Sequence, residues 1–250
     1  MIDREKILRY YRATGDHELA ARIVTAAEAA IHNRRFQFTE FLDPHGYSIA
    51  ESASAYADNL ELRSDGGYVG AERVRAAFVN KEYRGEIDFS LTAIGVEWDP
   101  RFYELSHRDV LGGLLALGIK RAVVGDILMV NGGCQIIVDS SISAFILNEL
   151  QRIGAANVKV RTIEFSALQQ KPETVKEIRS TVASLRLDSV AAAGFGKTRT
   201  QMTEEIQAEK VKVNWKDAKN AAQNVKTGDI ISFRGRGRVE VVEIKKKKKK

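Results

Sequence analysis

The chain of 250 residues carries 39 Lys+Arg against 33 Asp+Glu, a formal charge of +6, and is 44% hydrophobic and 8% aromatic, which excludes a wholly disordered chain and leaves room for two or three domains. Its one cysteine, Cys134, excludes an internal disulfide and points to a reducing compartment, and with His17, His32, His45 and His107 scattered without ligand spacing no metal or cofactor is expected. No apolar run is long enough to span a bilayer, and Met1-Ile2-Asp3-Arg4-Glu5-Lys6 does not begin a signal peptide, so the expectation is a cytoplasmic protein without membrane insertion.

In chain order, residues 2–11 and 16–34 read as helices split at Gly15, with Asp16 as N-cap and Leu19, Ile23, Ala26, Ala27 and Ala30 as the buried stripe of the second. Residues 36–42 look extended. Asp43-Pro44 opens a helix to about Tyr56, because proline suits a first turn, and Leu60-Glu61-Leu62-Arg63 alternates like a strand that runs into Asp65-Gly66-Gly67. This first part, 1–84, is a mixed α/β domain.

The middle part, 85–170, has a clearer pattern. Residues 87–96 form a strand with a bulge near Ala93, and 106–117 a helix capped by Ser106 and ended by Gly118. Strands at 126–130 and 134–138 flank the turn Asn131-Gly132-Gly133; a helix capped by Ser140 or Ser141 runs through Arg152 to a stop at Gly154, and 158–165 is a last strand. The order is βαββαβ, the ferredoxin-like arrangement. RNA-recognition domains share it but stack bases on aromatics of the central strands, which these strands lack, so sheet stacking is not expected. Trp98, Phe102 and Tyr103, after the first strand, read more simply as core than as anchors for a protein partner.

Lys171-Pro172 breaks the pattern, and the charge balance changes sign there. Residues 1–172 hold 20 basic and 23 acidic side chains, whereas 173–250 hold 19 and 10, six of the basic ones in the tail Lys245 to Lys250. The basic end is the nucleic-acid candidate. It begins with a helix that buries Leu187, Val190 and Ala191, capped by Asp188 or Ser189 and stopped at Gly194. A second helix, 197–206, buries Met202 and Ile206. A strand at 211–214, a turn at Lys226-Thr227-Gly228-Asp229 and strands at 230–233 and 239–242 around Gly235-Arg236-Gly237 complete a small sheet.

The pattern Arg186-Leu187-Asp188, the Gly194-Phe195 turn, Lys197-Thr198-Arg199, Val211-Lys212-Val213-Asn214 and Gly228-Asp229-Ile230-Ile231 resembles the S4-type RNA-binding domain. The resemblance implies that structured RNA is held between the second helix and the sheet, with Arg186, Lys197, Thr198, Arg199, Lys210, Lys212 and Asn214 as the RNA face. Two positions depart from the family pattern: Thr198 stands for serine, and Trp215 replaces the glycine of an Asn-Gly turn. Further upstream, the runs from Gly66 to Arg75, from Ser106 to Arg121 and Val124-Gly125-Asp126-Ile127 resemble the bacterial YlmH-type family, whose cyanobacterial and chloroplast members are called photosystem II S4 domain proteins. This second resemblance implies an RNA-binding protein acting on ribosomal or transfer RNA, in translation, cell division or photosystem assembly.

Several fragments imitate catalytic motifs. Ala191-x4-Gly196-Lys197-Thr198 fits a relaxed phosphate loop, but it leaves an amphipathic helix instead of a buried strand. His107-Arg108-Asp109 looks like a kinase catalytic loop, yet Leu114 stands where its asparagine belongs. Arg186-Leu187-Asp188 is similar to the aspartate motif of pseudouridine synthases without its flanking glycine and threonine. Glu204 and Glu205 are adjacent in a helix and read as solvated surface. The reading is therefore an α/β (α+β) protein with an N-terminal mixed domain (1–84), a ferredoxin-like middle domain (85–170), an S4-type domain (178–244) and a basic tail (245–250). It is expected to be non-enzymatic and to bind structured RNA, ribosomal or transfer, on the ribosome, without DNA specificity. An RNA-modifying enzyme and a protein-binding assembly factor stand as alternatives.

Overall fold

Three hydrophobic clusters organise the chain, two in the unit Met1–Pro172 and one in the unit Glu173–Lys250. The computed structural model describes residues 3–169 and 176–245. The expected helix start at Ile2, the break at Lys171-Pro172 and the tail beyond Lys245 lie outside the described residues.

In the first cluster, Asp3 caps α1 (Arg4–Thr14) by accepting from the Lys6 amide at 3.0 Å, and Gly15 at φ 83 ends it. Next come α2 (His17–Asn33), β1 (Phe36–Leu42), α3 (Pro44–Ala55), β2 (Leu60–Asp65) and β3 (Val74–Asn80), the strands forming an antiparallel sheet in the order β1-β3-β2. Helix α2 packs against α1, α3 and the sheet, so it buries a wider stripe than expected. Ile23, Ala27 and Ala30 are buried together with Ala20 and Val24, while Leu19 and Ala26 are only partly covered. Asp16 occupies the N-cap position but makes no cap. Its carboxylate instead accepts from Thr14 Oγ1 at 2.8 Å and faces His45 Nε2 at 3.1 Å.

The second cluster is built on β4 (Leu91–Glu97), α4 (His107–Ala116), β5 (Val124–Val130), β6 (Gly133–Asp139), α5 (Ser143–Glu149), the short hairpin β7 (Arg152–Ile153) and β8 (Ala156–Asn157), and β9 (Lys159–Ile163). The antiparallel order β5-β6-β4-β9 is the ferredoxin-like arrangement. Three local expectations are corrected. Strand β4 starts at Leu91 because Ser90 takes φ 50, its amide bonded to Asp88 Oδ1 at 2.8 Å; pairing from Leu91 to Glu97 is unbroken, and the irregularity falls in β5 between Val124 and Ile127. The turn of 3-10 helix before α5 is capped by Asp139, not by a serine. Helix α5 ends at Glu149 because Leu150 and Ile153 turn into the core, which puts Gly154, at φ 59, in the β7–β8 turn.

The third cluster joins α6 (Leu187–Phe195) and α7 (Arg199–Gln207) to β10 (Val211–Val213), β11 (Lys216–Asp217), β12 (Ile230–Phe233) and β13 (Gly237–Glu240), in the sheet order β11-β10-β12-β13. Helix α6 runs through Gly194 and stops at Gly196, which takes φ 64. Gly194 is needed for packing: a Cβ there would lie 2.9 Å from both Val239 methyls. Neither Asp188 nor Ser189 caps α6; Arg186 holds the N-cap position without a side-chain capping bond. Strand β13 ends at Glu240, two residues before the predicted limit, and Val242 is 72% exposed.

Candidate nucleic-acid interface

The start of α6 is tied to the loop before β12, with Leu187 N donating to Gln223 O at 2.8 Å and Asp188 N to Ala221 O at 3.0 Å. This docking buries the Asp188 side chain to 2% exposure, and a buried carboxylate needs charged partners. It has two. Arg186 donates through Nη2 at 2.8 Å and Nε at 3.2 Å, and Arg199 Nε stands 3.1 Å away across from the start of α7. The Arg186 hydrogen bonds hold the Asp188 carboxyl below the usual aspartate range, against the opposing effect of burial, and the same contact raises Arg186. Both arginines remain open to solvent, at 37% and 53% of their side-chain surface. The aspartate thus fixes one edge of each guanidinium and leaves other donors to face outward, the geometry that suits phosphate oxygens.

A second carboxylate organises two lysines. Glu205 receives Lys210 Nζ at 2.7 Å and Lys197 Nζ at 3.3 Å, and these bonds, Lys210 first, lower its carboxyl. Glu205 is therefore a buttress, contrary to its expected role as solvated surface; its side chain is 20% exposed. Lys197 lies in the turn before α7 and not in the helix, with its ammonium also 5.5 Å from the Phe233 ring.

The remaining predicted residues divide by task. Thr198 caps α7 in a capping box with Gln201, its hydroxyl accepting from the Gln201 amide at 3.2 Å. Asn214 is spent on the scaffold: its amide group donates to Asp229 Oδ1 and accepts from the Ile230 amide, both at 2.9 Å. Lys212 lies on the outer face of the sheet, 3.4 Å from Asp217. Sequence reasoning passed over Asp188 as the organising group, and also Trp215, Arg234, Arg236 and Arg238. The alternation Arg234-Gly235-Arg236-Gly237-Arg238 was the available signal for the arginines.

In the middle domain, Ile94, Val96, Ile136 and Val138 point to the helices, and Ala93, Gly95, Gln135 and Ile137 to the opposite sheet face. That second face is covered as well. A Cβ on Gly67 would meet Phe165 at 2.8 Å and Ile137 at 3.2 Å, and the Gln135 side chain donates to Ala167 O at 2.9 Å while accepting from the Gln169 amide at 2.6 Å. Ile137 is consequently fully buried. The loop carrying Gly67 is fastened by Asp126, which accepts from Tyr68 Oη at 2.8 Å and from the amides of Glu72 and Arg73 at 2.8 and 3.2 Å. Arg73 Nη2 donates to Phe41 O at 2.7 Å and its Nε to Val124 O at 3.1 Å. Arg121 Nη1 donates to Val124 O at 2.6 Å, and burial pushes this guanidinium down to about 10. The central strands on which RNA-recognition domains stack bases thus carry no aromatics here, and their face is covered by the protein itself.

The motifs that imitate catalysis have structural duties. The Asp109 carboxylate accepts from Ser106 N at 2.9 Å and Ser106 Oγ at 2.6 Å, completing the capping box of α4. Trp98 is buried and Tyr103 packs on the middle core, whereas Phe102 is 73% exposed. The thiol of Cys134 is 1% exposed, and burial pushes it up to about 12. Among the described residues no three His, Cys, Asp or Glu groups converge as a metal site, and no helix is long and apolar enough to cross a membrane.

Three family domains match successive stretches of the chain. Residues 15–83 match the domain described as "YlmH, N-terminal", 85–167 the "Putative RNA-binding domain in YlmH" and 185–231 the "S4 domain". The "Ribosome-associated protein quality control protein P2" of Bacillus subtilis (strain 168) is 35% identical over 220 residues, covering 86% of this chain and 84% of the relative. The chain belongs to the YlmH family. A solved structure, "Cell division protein ylmH from Streptococcus pneumoniae", shares the YlmH fold at a TM-score of 0.52 and 24% identity, over 61% of this chain and 93% of that one. This YlmH chain therefore carries RNA-binding domain types in both units, and the Asp188 and Glu205 clusters lie in its S4 domain.

Proposed function

We propose that this protein binds folded ribosomal or transfer RNA on the ribosome, in the cytoplasm, through its C-terminal unit, and that it acts by binding and not by turnover. The observation that carries the reading is the buried Asp188 with Arg186 and Arg199 fixed on it, because two guanidiniums on one carboxylate leave a net positive charge with preset donors. The ribosome-associated name of the Bacillus subtilis relative supports the choice of RNA. The covered sheet face of the middle domain supports the choice of unit, as does that domain's balance of seven basic to ten acidic side chains in residues 85–169.

Arg199→Ala is the direct test, since Arg186 still neutralises Asp188 and the unit stays folded. Affinity for a ribosomal RNA fragment should fall by about 1–3 kcal/mol, and the slope of log affinity against log salt should shrink by about one. Lys197→Ala should have a smaller effect, because its ammonium is already engaged by Glu205 and Phe233. Unchanged affinity and slope in Arg199→Ala would remove the Asp188 cluster from the interface. RNA modification or nucleotide hydrolysis abolished by an Asp109 or Asp188 substitution would replace the binding reading with an enzymatic one.

A further inference from the structure

The sheet of the C-terminal unit has a cationic outer surface. Val211, Ile231 and Phe233 point into the core, so the alternation of strands turns Lys212, Ser232 and Arg238, paired in one row across β10, β12 and β13, to the outside. The Arg238 guanidinium stands 6.0 Å from the centre of the Trp215 ring, which brings the indole to that same outer surface. Arg234 and Arg236 are exposed on the adjoining β12–β13 turn.

Trp215 is at odds with its backbone. Asn214 and Trp215 take φ 50 and φ 66 in the two-residue turn joining β10 to β11, the type I′ geometry that favours glycine at the second position. The turn is imposed from outside by the bonds of Asn214 to Asp229 and Ile230, so the indole is held in a conformation its own side chain disfavours. The indole is half-buried. A large flat ring kept in a glycine conformation, with the Arg238 guanidinium over it on a surface that also carries Lys212, has the chemistry of a nucleobase platform: the indole stacks the base, and the cations meet the flanking phosphates.

We propose that Trp215, with Arg238 and Lys212, stacks an unpaired nucleobase adjoining the folded RNA, and so selects RNA helices with a single-stranded extension over blunt ones. This deepens the proposed function and rests on it. The test uses the full chain with Trp98→Phe, which leaves Trp215 as the sole tryptophan of the two, and two probes, an RNA hairpin with an unpaired extension and the same hairpin blunt. The extended hairpin should quench Trp215 fluorescence and the blunt one should not. Trp215→Gly should bind the extended hairpin roughly 5- to 100-fold more weakly and the blunt one as the parent does. The glycine chain should also resist urea at least as well as the parent, because the left-handed conformation suits it. Trp215→Asn, which also tolerates that conformation, should repeat the loss, and Trp215→Phe should recover part of it. Equal binding of both hairpins by Trp215→Gly and its parent, while Arg199→Ala still weakens both, would overturn the platform and leave the RNA-binding reading intact. Failure of the parent to bind either hairpin would overturn both.

Discussion

Removing the carboxylate of Asp188 separates two accounts of why the C-terminal unit binds RNA. Counted as charge, Asp188→Ala subtracts a negative group next to two arginines and should tighten binding to a polyanion. Read as geometry, it frees both guanidiniums and should weaken binding. Asp188 is 2% exposed, receives two charged hydrogen bonds from Arg186 at 2.8 and 3.2 Å, and forms an ion pair with Arg199 at 3.1 Å. Breaking a fully buried ion pair costs about 3–5 kcal/mol. Here the two arginines rehydrate when released, so the loss should be nearer 1–3 kcal/mol. With a urea m-value of about 1 kcal/mol/M for a unit of this size, the unfolding midpoint should fall by about 1–3 M. Trp215 fluorescence in the Trp98→Phe chain reports that transition.

The pH dependence follows from the depressed carboxyl of Asp188. The ionised form is favoured in the folded state, so its stabilisation is fully present above the ordinary aspartate range, near pH 4, and is lost as pH falls through the lower folded value. The midpoint difference between parent and Asp188→Asn should therefore be constant from neutral pH down to about 5 and shrink below about 4. RNA affinity of Asp188→Ala at neutral pH, measured by fluorescence anisotropy at several salt concentrations, should fall about tenfold, or 1.4 kcal/mol. Tighter binding, a steeper salt slope and an unchanged urea midpoint would refute the argument that Asp188 positions the arginines.

Gly194→Ala should destabilise the C-terminal unit by about 1–3 kcal/mol, because the new methyl group meets Val239 at 2.9 Å, although alanine is the better helix former. Circular dichroism melting checks it, and a stabilised variant would contradict the close packing of α6 on β13. Cys134, buried with its thiol pushed up to about 12, should resist iodoacetamide at neutral pH until the middle core opens. Labelling in native buffer as fast as in urea would count against that core. Gln135→Leu removes both bonds to residues 167–169 and should speed hydrogen exchange of the Gln169 amide without unfolding the sheet; an unchanged rate would mean the side chain does not hold the segment.

Sequence by itself determined the class of the fold and the order of its main helices and strands, but not β3, the central strand of the first sheet, nor the short strands β7, β8 and β11. Gly15 and Gly118, at positive φ, the capping residues Asp43 and Ser106, and the Asn131-Gly132 turn act within a few residues of chain, so their effect is legible without tertiary contacts. Alternating apolar strands likewise separated the ferredoxin-like sheet from the helices packed on it. Tertiary structure decided what long-range contacts decide. Whether Gly194 stops a helix or lets a strand approach depends on Val239, and whether α5 continues depends on Leu150 and Ile153 finding the core. The candidate interface was legible as a set of basic residues but not as an arrangement. A sequence shows that Arg186, Lys197, Arg199 and Lys210 are cations; only the fold shows that Asp188 and Glu205 hold them in pairs, and that the Asn214 amide is spent on Asp229 and Ile230. Charge is a property of the residue, whereas orientation of charge belongs to the partners that burial brings within hydrogen-bonding distance.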